Sequence, residues 1–438
     1  MDKVIFPVKM KGMLGETVNL STKEACLDLE RLPCNSVTTF YVRLHNLAVT
    51  QALEIQFQPV RHRVKGDRIS FEVRFLDLNK SQLSILKDAL SKYKFLNKDF
   101  IILTKNIRDF LQRTKCKFDE FDKRELNEQK QIEFIEINKK QIFSELDSHF
   151  NKVWEIVRNF DKENHRLHQI YYQQMFYDLF GPDIEINQHI YKKPLGYPGD
   201  YIMMNYIYDY HYGRYLGKSS FEKLINNYTC NIPVSRSNIK RKEFFKEKIL
   251  KVAEGRDKAK ILSVGCGSCR ELIELLEERK IVKPLLFICL DLERKALDFV
   301  KNEIKKIDGV EKKFLSIEYI HKNIIEIIED QKLKQKIRGQ NLIYVSGVCD
   351  YLGDRTNSRL IKVLYQLLNK EGTLIISNIA LENCSHRAYY EFLGEWKMYH
   401  RDKNELLSWV KDLKDILEIK FEKSSIENKY LFLTINRK

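Results

Sequence analysis

Up to about residue 92, apolar and polar positions alternate over short runs. The segments ACLDLE, TTFYVRLH, ALEIQFQPVRHRV and DRISFEVRFLDL are rich in Val, Ile, Phe and Thr, and breakers such as LPCNS and VKGD separate them. That pattern predicts strands. The period then changes. In NKSQLSILKDALSKY, Leu83, Leu86 and Leu90 share one helical face, and Asn79 stands where an N-cap belongs. A small β-barrel closed by a helix fits residues 1–95.

Residues 96–180 contain almost no Gly or Pro and carry many charges. Ile135, Phe143, Leu146, Phe150, Val153 and Val157 recur at helical intervals, and Pro182 ends the run. This is a helical connector. Its apolar stripe packs on a neighbouring part of the chain or forms the seam of a homodimer. Residues 181–240 include KPLGYPGDYIMMNYIYDYHYG, which mixes chain-breakers with tyrosines and methionines. From 241 to 438 strands and helices alternate. AKILSVG, PLLFICLDLE, KKFLSIEYI, QNLIYVSGV, GTLIISNI, LEIKFEKSSI and YLFLTINR read as strands. Such alternation predicts a Rossmann-like α/β sheet of seven strands with helices on both faces. A short break between the last two strands predicts a terminal hairpin, with one strand antiparallel.

The 438 residues are 43% hydrophobic and 31% charged, which is enough for globular cores. No run approaches the ~20 apolar residues that cross a bilayer, and the N-terminus shows no secretory pattern. The nine cysteines are an odd number and scattered, so a reduced, cytoplasmic protein is expected. Cys266 and Cys269 form a lone CxxC without the second ligand pair that zinc requires. They read as small residues in a turn, and no metal is expected. The net charge of +15 comes from Lys and Arg interspersed with Asp and Glu. Without an Arg-rich tail or an RNA-binding signature, specific nucleic-acid binding is not expected.

The chemistry concentrates in LSVGCGSCRE, where Gly265, Gly267 and Ser268 form the first strand-to-helix turn. Glycine lets backbone approach a ligand, and the N–H groups of the next helix can hold a carboxylate. Arg270 stands where a dinucleotide fingerprint has its third glycine, which argues against a pyrophosphate. Asp291 ends the second strand, where an acid can accept both hydroxyls of a ribose. Turn, acid and alternation together suit S-adenosylmethionine.

Several stretches of residues 150–438 then resemble one family. They are KPLGYPGDYIMMNYIY, VSRSNIKRKEF, LSVGCGSCRE, IYVSGVCDYLGDR, LYQLLNKEGTLIISNIALEN and GEWKMYHR. The family is the class I S-adenosylmethionine-dependent methyltransferases assigned to biosynthesis of 3-hydroxypalmitic acid methyl ester, a bacterial quorum signal. The resemblance implies cofactor contacts from Gly265, Gly267, Asp291, Asn323 and Ser346, and the turn itself adds Ser268. The chain departs from the family at Asn341, where Asp is usual, and at Ile239, where an arginine is lost from a run that keeps Arg236 and Arg241. The N-terminal region resembles a PilZ domain, the cyclic di-GMP receptor fold. Lys9, Lys11, Asn19 and Ser21 are its nucleotide candidates, although the RxxxR arm is missing and Glu24 replaces a glycine.

A carboxylate acceptor arrives ionised at pH 7 and needs no general base. The resemblance therefore implies carboxyl O-methylation of a fatty acid or similar small apolar acid. Tyr197, Asp350 and Tyr351 are expected near the transferred methyl. Asp200, Tyr201, Asn205, Arg236, Asn378 and Arg401 are the substrate candidates, with Arg236 and Arg401 holding the carboxylate. Glycines and prolines of the aromatic segment would shape a lid, and its tyrosines and methionines would line the acceptor pocket. Two other readings stand beside this one: an amine acceptor handled by Asp200 and Asp350, and a signalling protein that keeps a non-catalytic methyltransferase scaffold.

Overall fold

The structure is a computed structural model that describes residues 95–125, 127–180, 184–308, 314–382, 385–422 and 429–438, with the backbone of six strands before residue 95. The chain forms two compact units. The first comprises Met1–Ile184, Ser219–Phe221 and Arg387–Gly394, and the second Glu185–Lys218, Glu222–His386 and Glu395–Lys438. Among the described residues, no helix is long and apolar enough to cross a membrane.

In the first unit, β1 (Pro7–Met10), β2 (Met13–Leu20), β3 (Glu24–Leu29), β4 (Thr38–His45), β5 (Thr50–Lys65) and β6 (Arg68–Leu76) close a barrel in the order β1-β2-β3-β6-β5-β4. Four of these strands are the alternating runs read above. The pairing of β5 with β6 shifts register between Pro59 and Arg61, where proline cannot donate to the ladder. The helix expected from Asn79 falls outside the described residues. Three long helices follow, Lys98–Arg124, Glu128–Val157 and Lys162–Phe180. The stripe predicted on the second is covered inside this unit. Ile135, Leu146, Phe150, Val153 and Val157 are buried, with Phe150 edge-on to Phe180 and Tyr389. Arg108, fully buried, forks onto the carboxylate of Asp178.

The second unit is built on one seven-stranded sheet: β7 (Ala259–Val264), β8 (Leu285–Asp291), β9 (Leu315–His321), β10 (Gln340–Val345), β11 (Leu368–Ile379), β12 (Ile416–Glu422) and β13 (Tyr430–Arg437). Their order is β12-β13-β11-β10-β7-β8-β9. All pairs are parallel except those of β13, which runs antiparallel to both β11 and β12. The seven strands and the hairpin are those read from the sequence. Alternate side chains feed two cores. On one face Leu262, Ile288, Ile343, Leu374 and Leu433 pack with Ile327, Leu360 and Ile361 from following helices. On the other, Tyr344 and Phe432 stack on Phe245 and Phe244 of the helix Pro233–Glu254.

Ile343 is completely buried in a central strand, whereas Leu417 on the edge strand is 65% exposed. Ile343→Ala should lower unfolding stability by about 2–5 kcal/mol. Leu417→Ala should stay within about 0.5 kcal/mol. Urea titration compares the two, and equal losses would contradict the burial pattern.

Candidate functional site

The sheet order reverses at β7, whose neighbours are β10 and β8. The helix after β7 (Arg270–Glu277) packs on the Tyr344 face, through Tyr344 Oη donating to Glu271 at 2.6 Å. The helix after β10 (Asp354–Gln366) packs on the opposite face, through Leu360, Ile361 and Leu364. Chains that leave adjacent strands for opposite faces open a crevice at the strand ends. A cavity of about 350 Å³ lies there, lined by residues from the turns after β7, β8, β9 and β10 and from the segment before the sheet.

The turn after β7 forms one wall. Gly265, Gly267 and Cys269 have φ of 66°, 52° and 44°. A Cβ on Gly265 would meet Val348 Cγ2 at 2.2 Å, so only glycine fits against the loop after β10. The turn's amides are largely engaged within the protein. Gly265 and Cys266 donate to the Leu290 carbonyl, Gly267 to Asp291, and Cys269 back to Cys266. The turn itself therefore offers a smooth concave wall. Cys266, Cys269 and Cys289 are all buried. The Cys289 thiol draws the Cys266 value down, yet burial pushes it up to about 12. Cys266 and Cys269 are small residues of the turn, and Cys289 lies beside them in β8.

Asp291 ends β8 and is 6% exposed. Its Oδ2 accepts from Gly267 N and its Oδ1 from Glu293 N, each at 2.8 Å. Each oxygen retains a second lone pair, so the carboxylate can still accept two hydroxyls. Burial raises its pKa, and the two amides, the Cys266 thiol and His321 oppose that rise. Ser268, Asn323 and Ser346 also line the cavity. Asn323 uses its Oδ1 to cap the helix Ile324–Glu329, which leaves its amide NH₂ for a ligand.

The other half of the cavity is aromatic. Tyr197, Tyr201, Tyr208, Tyr351, Trp396 and Tyr430 line it with Met204 and Met398. Tyr197 lies 5.7 Å from the Tyr351 ring centroid to centroid, and Trp396 Nε1 donates to Tyr351 Oη at 2.8 Å. A Cβ on Gly199 would fall 2.1 Å from Tyr351 Oη, so backbone lies directly against the phenol. The aromatic segment is part loop and part helix. Asp200 caps the helix Tyr201–His211 by accepting from the amides of Ile202 and Met203. Tyr201, Met204 and Tyr208 then face the cavity at helical spacing, while Met203 is buried elsewhere.

Asp350, in the turn after β10, is 1% exposed and lines the cavity. Its Oδ1 accepts from Ile379 N at 2.7 Å. Burial pushes its carboxyl up to about 7, against the opposing pull of Arg241, the Ile379 amide and Arg401.

The remaining candidates stand outside the cavity lining. Asp200 is engaged by its helix cap and by His189, 2.8 Å away. Asn205 accepts from Arg270 at 3.3 Å. Arg236 is exposed on its helix. Arg401 is buried and donates to Asp354, Cys349 O, Asn378 and Leu352 O. Asn378 accepts one of these bonds and donates to Ile379 O and Tyr399 O. Arg401 and Asn378 thus brace the loops beneath the site. The departure at Asn341 lies at the start of β10, where its Oδ1 accepts from Lys260 N. Lys11 and Ser21 lie outside the described residues, and only the backbone of Lys9 and Asn19 is described, in β1 and β2.

The sequence reading missed Arg241 and Glu271 as cavity residues. Arg241 had a usable signal: Val234, Asn238 and Arg241 follow one another at steps of four and three, so they share a helix face. Arg236 is five residues away and points elsewhere.

No protein-family model matches this chain, and no curated protein matches it. Among solved structures, it is similar to a protein from Bordetella parapertussis described as a possible exported protein, at 13% identity and TM-score 0.41, covering 68% of this chain and 96% of that one. It is also similar to magnesium protoporphyrin IX methyltransferase from Synechocystis PCC 6803 with bound SAM, at 14% identity and TM-score 0.34, covering 47% and 84%. A third similarity is to a SAM-dependent methyltransferase from Methanosarcina mazei, at 14% identity and TM-score 0.31, covering 42% and 93%. The reading of the cavity rests on its own residues.

Asp350 gives a pH prediction. Its carboxyl keeps a proton up to about pH 7 when folded, against an ordinary value of 3.8. The folded state therefore binds the extra proton between these values, and stability falls through this group as pH rises from about 4 to about 7. Asp350→Asn keeps the acceptor for Ile379 N but cannot ionise. Its urea midpoint relative to wild type should rise between pH 5 and pH 8. A difference independent of pH contradicts the raised value.

Proposed function

We propose that the second unit is an S-adenosylmethionine-dependent methyltransferase that methylates the carboxylate of a small apolar acid. The observation that carries this reading is Asp291: a buried carboxylate aligned by two amides beside a glycine wall, in a cavity whose remaining lining is largely aromatic. The residues fit the cofactor. Gly265 and Gly267 leave backbone free of side chains where the ligand would lie, and Asp291 offers two acceptor positions for a ribose diol. Leu292, exposed at the rim, and Ile324 offer apolar surface for a base.

Bound S-adenosylmethionine supplies an electrophilic methyl group on a sulfonium cation. The protein's task is then alignment and exclusion of water, and alignment alone can supply about 7–11 kcal/mol. Tyrosine faces suit a neighbouring cation. The aromatic and methionine walls suit an apolar acceptor, since each buried CH₂ contributes about 0.8 kcal/mol. A cavity of about 350 Å³ lies at the lower end of the range for ligand pockets, roughly 300–1,000 Å³, and it is shared with the cofactor. It has room for the reacting end of an acid rather than for the whole of a long chain.

Isothermal titration should show that the full chain binds S-adenosylmethionine. Asp291→Ala should weaken binding by at least about tenfold, because hydrogen bonds to a charged group contribute roughly 1.5–3 kcal/mol each. Absence of binding, or an Asp291→Ala variant indistinguishable from wild type, contradicts the assignment.

A further inference from the structure

The cavity is lined by two cations, Arg241 and Lys322. Lys322 pairs with Glu326 at 2.6 Å and lies beside Asn323 on the cofactor half. Arg241 is 7% exposed, yet it has no carboxylate at ion-pair distance among the described residues. Its guanidinium lies over the Tyr430 ring, 4.6 Å from the centroid, with Nη2 3.8 Å from Met204 Sδ. Neither contact is an oxygen acceptor. Three other buried cations differ: Arg108 forks onto Asp178, Arg401 is bonded at every nitrogen, and Lys242 is held by Glu274. A buried guanidinium without an anion is costly.

Its position is also defined. A Cβ on Gly347 would lie 2.7 Å from Arg241 Nη1, so the guanidinium rests against bare backbone in the loop after β10. Ser346, Gly347 and Val348 of that loop wall the cavity beside Gly265. Arg241 therefore stands where the cofactor half meets the aromatic half. Two buried carboxyls, Asp350 and Glu271, act on it electrostatically. Neither makes a direct bond to Arg241.

We propose that Arg241 is the specificity-determining cation of the acceptor end, receiving the acceptor's carboxylate on its open edge and disfavouring neutral analogues. The proposal rests on the methyl-transfer reading and gives it a substrate class. An arginine fork matches a carboxylate in shape and charge, and a neutral amide or ester would leave that fork unpaired. The aromatic walls then take the apolar remainder of the acid.

The test is titration of the full chain with decanoate and with decanamide, with and without S-adenosylhomocysteine, on wild type, Arg241→Gln and Arg241→Lys. Wild type should prefer decanoate. Arg241→Gln should lose about 10- to 100-fold in decanoate affinity, with decanamide binding unchanged within about twofold. Arg241→Lys should recover part of the loss, because it keeps the charge and not the fork. If Arg241→Gln fails to fold, Arg241→Lys carries the same comparison, with a several-fold loss expected for decanoate alone. Equal decanoate affinity across the variants overturns the proposal. So does a wild type that binds decanamide as well as decanoate. Binding of S-adenosylmethionine without any acid from hexanoate to tetradecanoate also overturns it and leaves methyl transfer standing. Discrimination of decanoate without cofactor binding removes the methyl-transfer reading and keeps the anion site.

Discussion

The carboxylate of Asp291 joins the two turns on which the cavity depends. One oxygen accepts the Gly267 amide from the turn after β7, and the other accepts the Glu293 amide from the turn after β8. The Leu290 carbonyl, one residue earlier, takes the amides of Gly265 and Cys266. This short network fixes the left-handed backbone of the glycine turn against the end of the neighbouring strand. It holds the concave wall and the acidic acceptor in one geometry, before any ligand arrives. Preorganisation of this kind lowers the cost of ordering on binding.

The sheet makes that geometry rigid. β7, β8 and β10 are parallel and buried on both faces, and β7 and β10 send their following helices to opposite sides. Their carboxyl ends must therefore diverge, and the divergence is the cavity. The aromatic segment supplies the remaining wall through a second fixed point. Asp200 caps its helix and bonds His189, which sets the rotation that turns Tyr201, Met204 and Tyr208 inward. In this segment the residue that positions the wall, Asp200, is thus distinct from the residues that face the cavity.

That distinction explains what was legible in the sequence. Continuous apolar runs such as ILSV and LLFICL read directly as central strands, because burial on both faces leaves no other use for them. Gly265, Gly267 and Asp291 were legible because few roles need that combination at strand ends. The polar residues were harder. Asp200, Asn378 and Arg401 have the chemistry of ligand groups, but their bonds go to amides, carbonyls and side chains of the scaffold. A one-dimensional pattern does not say which way a polar group turns. Arg241 was recoverable from helical phase, and Arg236 could have been set aside on the same ground. In the barrel, β1 and β2 escaped notice because PVKM and MLGETVNL lack a sustained alternation of apolar residues.

A crystal structure of the full chain with S-adenosylhomocysteine tests the central claim most directly. The account predicts ribose hydroxyls on the two oxygens of Asp291, backbone of Gly265 and Gly267 against the ligand, and the sulfur directed toward the aromatic half near Arg241 and Tyr197. A ligand bound elsewhere, or a cavity that stays closed to it at saturating concentration, would contradict the account.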